Sequence, residues 1–324
     1  MVTQGIRSAS SFSAEFGYEG AATFGTETSV LNSFGREVKI SGLTWKNNQQ
    51  PLGGLNTPQV TDFLYNRNEG ACSVDHVLSN PWIFSALLNK WYSNSGGGPY
   101  TTIWSSDPAL NSLAKTPRSC SLLFISRLGG GNVSKLALGA LDTSLTLKSA
   151  IDQPVSATHQ FTWGLETVGT TSDTPAADNS TFLPLNFVNA QVQLPDTTPI
   201  ADIQSFNLTI ENGNTLLWGM NSAGPTDLYS KMFSITGTVN LALYGATYLN
   251  DVVNRGPVAT MGFDFKDANN NEIHITLDQV SIYSDKWDGT QPVDLLTEEF
   301  DFQAQKIVVT ATSNVNDPSA GISW

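Results

Sequence analysis

Ile203-Gln204-Ser205-Phe206-Asn207-Leu208-Thr209-Ile210-Glu211-Asn212-Gly213 decides the reading of this chain. Phe206, Leu208 and Ile210 alternate with Ser205, Asn207, Thr209 and Glu211. Side chains on a strand point to opposite faces in turn, so the segment predicts a strand with one buried and one polar face. Asn212-Gly213 follows as a turn signal. The same grammar recurs at Val155 to Trp163, where the odd positions are mostly apolar, and at Thr143 to Ser149, with Asp152-Gln153-Pro154 as the turn between them. Further strands are expected at Ile235 to Tyr244, Ile273 to Tyr283, Glu298 to Ala304 and Lys306 to Thr312. Apolar parity switches between Leu277 and Val280, which suggests a bulge.

Two helices are expected among these strands. Ser79-Asn80 and Pro81 open the first, near 80–93, with Ile83, Phe84, Leu87, Leu88 and Trp91 on one face; Asn94 to Pro99 ends it. The second, near 245–255, carries Tyr248, Leu249, Val252 and Val253 on one side and stops at Gly256-Pro257. Phe24 to Arg36 and Thr167 to Asp178 read as long exposed loops. Residues 141–324 are expected to form one continuous β-sandwich, and residues 1–140 a less regular region. The fold class is therefore mainly β: an antiparallel β-sandwich or partial barrel with one or two packed helices.

Composition supports this class. Of the 324 residues 14% are charged and 40% apolar, with Gly (27) and Pro (15) between short hydrophobic stretches, as in all-β proteins with many turns. Cys72 and Cys120 lie in no ligand-like spacing and read as buried free thiols. Met1 to Phe16 has no apolar core of an export signal, and no run approaches the ~20 apolar residues of a membrane span. A soluble protein made in the cytoplasm, without membrane contact, is expected. A net charge of −13 argues against tight nucleic-acid binding, which needs clustered Lys and Arg. Acids concentrate in residues 264–301, where only Lys266 and Lys286 oppose Asp264, Asp267, Glu272, Asp278, Asp285, Asp288, Asp294, Glu298, Glu299 and Asp301.

The sequence carries no recognisable catalytic constellation. His76, His159 and His274 have no neighbour in sequence that makes a triad or metal pair, and His159 reads as a core or interface histidine. Gly129-Gly130-Gly131-Asn132 lacks the Gly-Lys-Ser/Thr of a phosphate loop. Asp267 to Glu272 begins like a calcium loop but has Glu272 where the sharp turn needs Gly, so it reads as a polar hairpin turn. Glu298 and Glu299 are adjacent on a strand and point apart, so they cannot flank one glycosidic bond. No enzyme activity and no cofactor are expected.

The order of elements resembles the tail tube proteins of tailed viruses that infect bacteria or archaea. The resemblance rests on the amino-terminal Gly5-Ile6-Arg7 to Glu19 segment, on Thr143 to Lys148, and on Ile203 to Asn212. Ile235 to Leu241, the helix to Arg255 and the closing strand Leu296 to Ala304 complete it. It covers residues 143–312 and, more loosely, 1–95. It implies a structural, self-assembling virion protein of homohexameric rings, six subunits each giving about four strands to a continuous β-barrel. Stacked rings would conduct double-stranded DNA during ejection, beside a sheath if contractile, a terminator, and a baseplate or tip. A barrel of about 24 strands has a backbone diameter of roughly 48 Å, ample for a duplex. Acids on the polar side of their strands, Asp278, Glu299 and Asp301, would face that lumen. Phe24, Leu31 and Phe34 in the Phe24 to Arg36 loop would make ring-to-ring contacts together with the amino-terminal arm. The alternative reading is a secreted or cell-surface carbohydrate-binding β-sandwich, which eight Trp and eight Tyr would allow.

Overall fold

The computed structural model describes residues 12–19, 24–26, 32–53, 60–88, 90–93, 98–107, 119–128, 131–169, 185–194, 197–200, 202–220, 222–229, 232–242, 258–288 and 296–314. The first half of the chain contributes β1 (Phe12–Tyr18), β2 (Asn32–Ser33), β3 (Arg36–Gly53), β4 (Val60–Val77), α1 (Phe84–Leu87), β5 (Lys90–Ser93) and β6 (Tyr100–Ser105). β7 (Cys120–Leu128), β8 (Gly131–Ala150), β9 (Ser156–Trp163) and β10 (Leu165–Gly169) follow. The second half contributes β11 (Ala190–Gln193), β12 (Ile203–Glu211), β13 (Thr215–Leu217), β14 (Asp227–Tyr229) and β15 (Ser234–Ala242), then β16 (Val258–Lys266), β17 (Glu272–Asp288), β18 (Thr297–Ala304) and β19 (Lys306–Ser313).

One antiparallel sheet dominates. Its eight strands run in the order β3-β4-β9-β8-β12-β15-β18-β17. Two strands leave it at kinks. The first part of β8 pairs with β7 and β10, and β7 pairs with β1. The first part of β17 pairs with β16 and β19, which carry β11 and β6. These smaller sheets cover the apolar face of the large one, as in a sandwich. The covered side chains follow strict alternation: Leu145 and Leu147, Leu208 and Ile210, Ile235 and Val239, Phe300 and Phe302 are buried. Phe263, Phe265, Ile273 and Ile275 close on them from the smaller sheet.

The mainly β class, the strands near 143–163, 203–211, 235–244 and 273–312, and the hairpin turn at Asp267 agree with expectation. Asp267 Oδ1 accepts the backbone N–H groups of Asn269 and Asn271, a local turn and not a calcium loop. The parity break falls at Gln279, which adopts φ +53° where β17 changes sheets. Cys72 and Cys120 are buried and unbridged, and burial pushes the Cys72 thiol up to about 12.

Two expectations are corrected. The helix near 80–93 is one short turn. Asn80 caps it through its side chain, which accepts from the Trp82 N–H, but Leu88 is extended at ψ 145° and residues 90–93 are strand. All faces of that turn are buried, so its apolar spacing does not imply a long amphipathic helix. β8 runs unbroken from Gly131 to Ala150 across the position expected as a boundary. Asn212-Gly213 does not close a two-residue hairpin, since the separate β13–β14 ribbon lies between β12 and β15. The helix expected near 245–255 lies outside the described residues.

Candidate conduit surface

The outer face of the eight-stranded sheet is polar from edge to edge. Cross-strand partners place Lys39 beside Asp75, Asp75 beside Thr158 and Thr158 beside Thr146. Thr146 adjoins Thr209, Thr209 adjoins Thr236, and Asn240 adjoins Glu299, which adjoins Lys286. Strand periodicity accounts for this, because these residues alternate with the buried ones of the same strands.

Hydroxyl side chains stitch the face together. Thr146 and Thr209 approach at 3.2 Å between their Oγ1 atoms. Thr158 donates to Asp75 Oδ1 at 2.6 Å and Thr238 to Asp301 Oδ1 at 2.7 Å, while Gln160 Nε2 donates to Ser73 at 3.1 Å. Charge is interleaved. Asp75, Glu211, Glu299 and Asp301 share the face with Lys39, Lys148 and Lys286, so no cluster of Lys and Arg forms and the acidity is partly offset.

Of the three acids singled out from sequence, the fold brings Glu299 and Asp301 onto this face, both half-buried opposite Phe300 and Phe302. Asp278 is not brought there. It sits in the first part of β17, between Thr260 and Lys306, in the smaller sheet. The hydroxyl and amide ladder was missed because it needs the pairing partners, and no local signal in sequence names them.

The loop residues Phe24 and Phe34 pack within the subunit. Phe34 is buried in the subunit's own core, 4.7 Å from the Phe16 ring and 5.8 Å from Phe161. Phe24 lies over Gly139, which adopts a left-handed φ of +62° and where an added Cβ would meet the Phe24 ring at 2.6 Å. The buried Glu19 carboxylate fixes this corner by accepting from Gly25 N, Ser119 Oγ, Ser121 Oγ and Gly139 N. Phe34 therefore belongs to the subunit core and Phe24 is half-buried against Gly139, while Leu31 lies outside the described residues. Phe34→Ala is expected to lower subunit stability by about 3–5 kcal/mol, as for other large-to-small core changes, measured by denaturant unfolding. A loss under about 1 kcal/mol would contradict the core assignment. Exposed apolar side chains sit instead on the projecting end of the β3–β4 hairpin, at Leu52, Val60, Phe63 and Leu64.

One carboxyl group stands out near the last edge of the large sheet. Burial pushes the Glu298 carboxyl up to about 7, and Asp285 beside it adds to the shift. On the smaller sheet Asp264, Glu272 and His274 can bring one ligand atom each within 4.8 Å of the others. Burial, then Glu272, raises Asp264 to about 6, and Lys266 lies 3.8 Å from Glu272. These half-buried groups already pair among themselves.

The family model of the phage tail tube protein matches residues 11–317, nearly the whole chain. The chain belongs to the phage tail tube protein family. No curated protein matches it. As a tail tube family member it is a structural protein of the virion tail, and the polar sheet is read in that setting. Among the described residues no helix is long and apolar enough to cross a membrane.

Proposed function

We propose that the chain assembles into closed rings that stack into a tube, with the polar face of the eight-stranded sheet lining a lumen through which double-stranded DNA passes during ejection. The observation that carries this reading is the continuous polar face, bounded by β3 on one side and the last part of β17 on the other. Among the described residues Lys39 to Lys46 of β3 pair only with β4, and Ser281 to Asp288 of β17 only with β18. Open edges of this kind are templates for pairing with further chains.

A lumen of Ser, Thr, Asn and Gln side chains with interleaved charges offers phosphate groups no concentrated positive site. Tight binding to DNA draws its strength from such sites, so DNA would slide. Glu299 and Asp301, together with Asp75 and Glu211, are the acids assigned to this lining; Asp278 is not among them. Ring-to-ring contact is assigned to the exposed apolar end of the β3–β4 hairpin. Other tail components, a terminator, a tip or baseplate and a sheath where the tail contracts, would meet the ends and outside of the tube.

Electron microscopy of the purified full-length protein tests the reading. Stacked rings with a central channel are expected. A protein that stays monomeric at every concentration and salt would overturn it.

A further inference from the structure

The two halves of the chain repeat one pairing pattern. In the first half β3 pairs with β4, β4 with β9, β9 with β8, and β8 with both β7 and β10, while β1 pairs with β7. In the second half β12 pairs with β15, β15 with β18, β18 with β17, and β17 with both β16 and β19, while β11 pairs with β16. The strands occur in the same chain order, and every pairing is antiparallel.

Fine detail repeats as well. β8 and β17 each pass from the small sheet to the large one through a left-handed residue, Gly139 at φ +62° and Gln279 at φ +53°. Each then shifts register against its neighbour, between Asp142 and Ser144 and between Ile282 and Ser284. Even the hydrogen bond from Gln160 to Ser73 has its counterpart in Thr238 to Asp301, at matching positions of the two strand pairs. Irregularities recurring at the same places mark two copies of one unit.

Within the chain the two units are joined edge to edge. β8, the last strand of the first four, pairs with β12, the first of the second four, from Ala150↔Ser205 to Ser144↔Glu211. The strand equivalent to β8 is β17, and the strand equivalent to β12 is β3. Both lie at the outer edges of the large sheet.

We infer that β17 of one copy pairs with β3 of the next copy in the register that β8 and β12 already share, and that three copies close the ring. This rests on the tube reading above. In that register Thr44 of the next copy faces Lys286, as Thr209 faces Thr146; Trp45 faces Asp285, and Leu43 faces Trp287.

Burial at the edges fits a missing neighbour. Leu145, Leu147, Leu208 and Ile210 are fully buried at the inner junction. Their outer equivalents are open: Trp287 is 49% exposed, and Leu43 and Trp45 are only partly buried. Asp285 and Glu298 lie side by side at the same edge, and among the described residues neither Asp285 Oδ1 nor Glu298 Oε1 receives a hydrogen bond from an N–H or hydroxyl donor. Trp45 of the next copy carries an indole N–H to this place.

The number three follows from strand count. At ~4.8 Å spacing and ~40° tilt, two copies with sixteen strands give a backbone diameter of about 32 Å, which side chains reduce to about the width of a duplex. Three copies give about 48 Å, and six about 96 Å, several times what a duplex fills. Three tandem copies supply six four-stranded units, so the sixfold strand arrangement implied by the resemblance is met with half the chains.

Disulfide trapping in assembled tubes tests both register and number. Thr44→Cys with Lys286→Cys should cross-link neighbouring copies, because the equivalent Thr146 and Thr209 side chains touch at 3.2 Å. The native Cys72 and Cys120 are buried and do not compete. A denaturing gel without reductant should show bands rising to three chains and no higher, and each single variant should show none. Bands reaching six chains would overturn the number. Normal tubes of the double variant without cross-links would overturn the register. Should the double variant fail to assemble, the mass of unmodified rings decides: about 105 kDa supports three copies of the 34.9 kDa chain, and about 209 kDa overturns them. Absence of any ring or tube from the unmodified protein would instead remove the tube reading on which the inference stands.

Discussion

Asp142→Ala is expected to be among the most damaging single changes in the subunit, lowering its stability by about 3–5 kcal/mol. Asp142 and His159 are both fully buried, with His159 Nδ1 2.6 Å from Asp142 Oδ2. Burial raises the Asp142 carboxyl, and His159 opposes that rise. His76 stacks on His159 at 5.4 Å; burial first, then His159, lowers it to about 3, so it remains neutral across the physiological range. Removing Asp142 strands the His159 ring in a site that holds no water-accessible alternative, and a buried polar group without its partner carries the full desolvation penalty.

The second repeat shows what the position accepts. At the places equivalent to Asp142 and His159 it carries Ile282 and Phe300, both buried. The double variant Asp142→Ile/His159→Phe is therefore expected to recover most of the loss, since replacing a buried pair by packed apolar groups is often neutral. Denaturant unfolding of the three proteins measures this. A single variant within about 1 kcal/mol of the parent, or a double variant no better than the single, would show that the pair does not act as a unit.

Glu299→Lys with Asp301→Lys is expected to turn a sliding surface into a binding one. The change costs the subunit about 1 kcal/mol through loss of the 2.7 Å Thr238–Asp301 hydrogen bond. Both side chains are half-buried on a polar face, so assembly should survive. In a ring of the inferred three chains, six negative charges would become six positive. Tubes of the variant should retain duplex DNA in co-sedimentation at low salt, protected from nuclease, and release it steeply as salt rises, while tubes of the parent retain none. DNA that binds the variant but stays open to nuclease would place these side chains on the outside of the tube.

Much of the fold is legible in the sequence because alternation is local. Phe206, Leu208 and Ile210 announce a half-buried strand without reference to any other segment, as do Ile235 to Leu241 and Phe300 and Phe302. The kink of β17 is legible for the same reason, since a left-handed residue at Gln279 shifts apolar parity within a few positions. Even the place of Glu299 and Asp301 on the polar face follows from the side their neighbours claim. The apolar spacing of Ile83, Phe84, Leu87 and Leu88 misled, because a single turn buried on every side satisfies the same pattern as a longer helix.

Pairing is another matter. That β8 lies beside both β9 and β12, or β4 beside β9, depends on contacts between segments tens of residues apart, and many partners satisfy one alternation equally well. For that reason the hydroxyl ladder of Thr146, Thr209, Thr158 and Thr238, the Asp142–His159 pair and the four donors around Glu19 exist only in the tertiary structure. The repeat of the two halves is also invisible in the residues. Asp142 answers Ile282, His159 answers Phe300 and Leu145 answers Asp285, so chemistry diverged while backbone pairing was kept. Sequence alone determined that this is a β protein with one polar sheet face and no basic surface. Only the tertiary structure decided that eight strands share that face, because backbone hydrogen bonds set strand order, and side-chain type constrains them to a face and not to a neighbour.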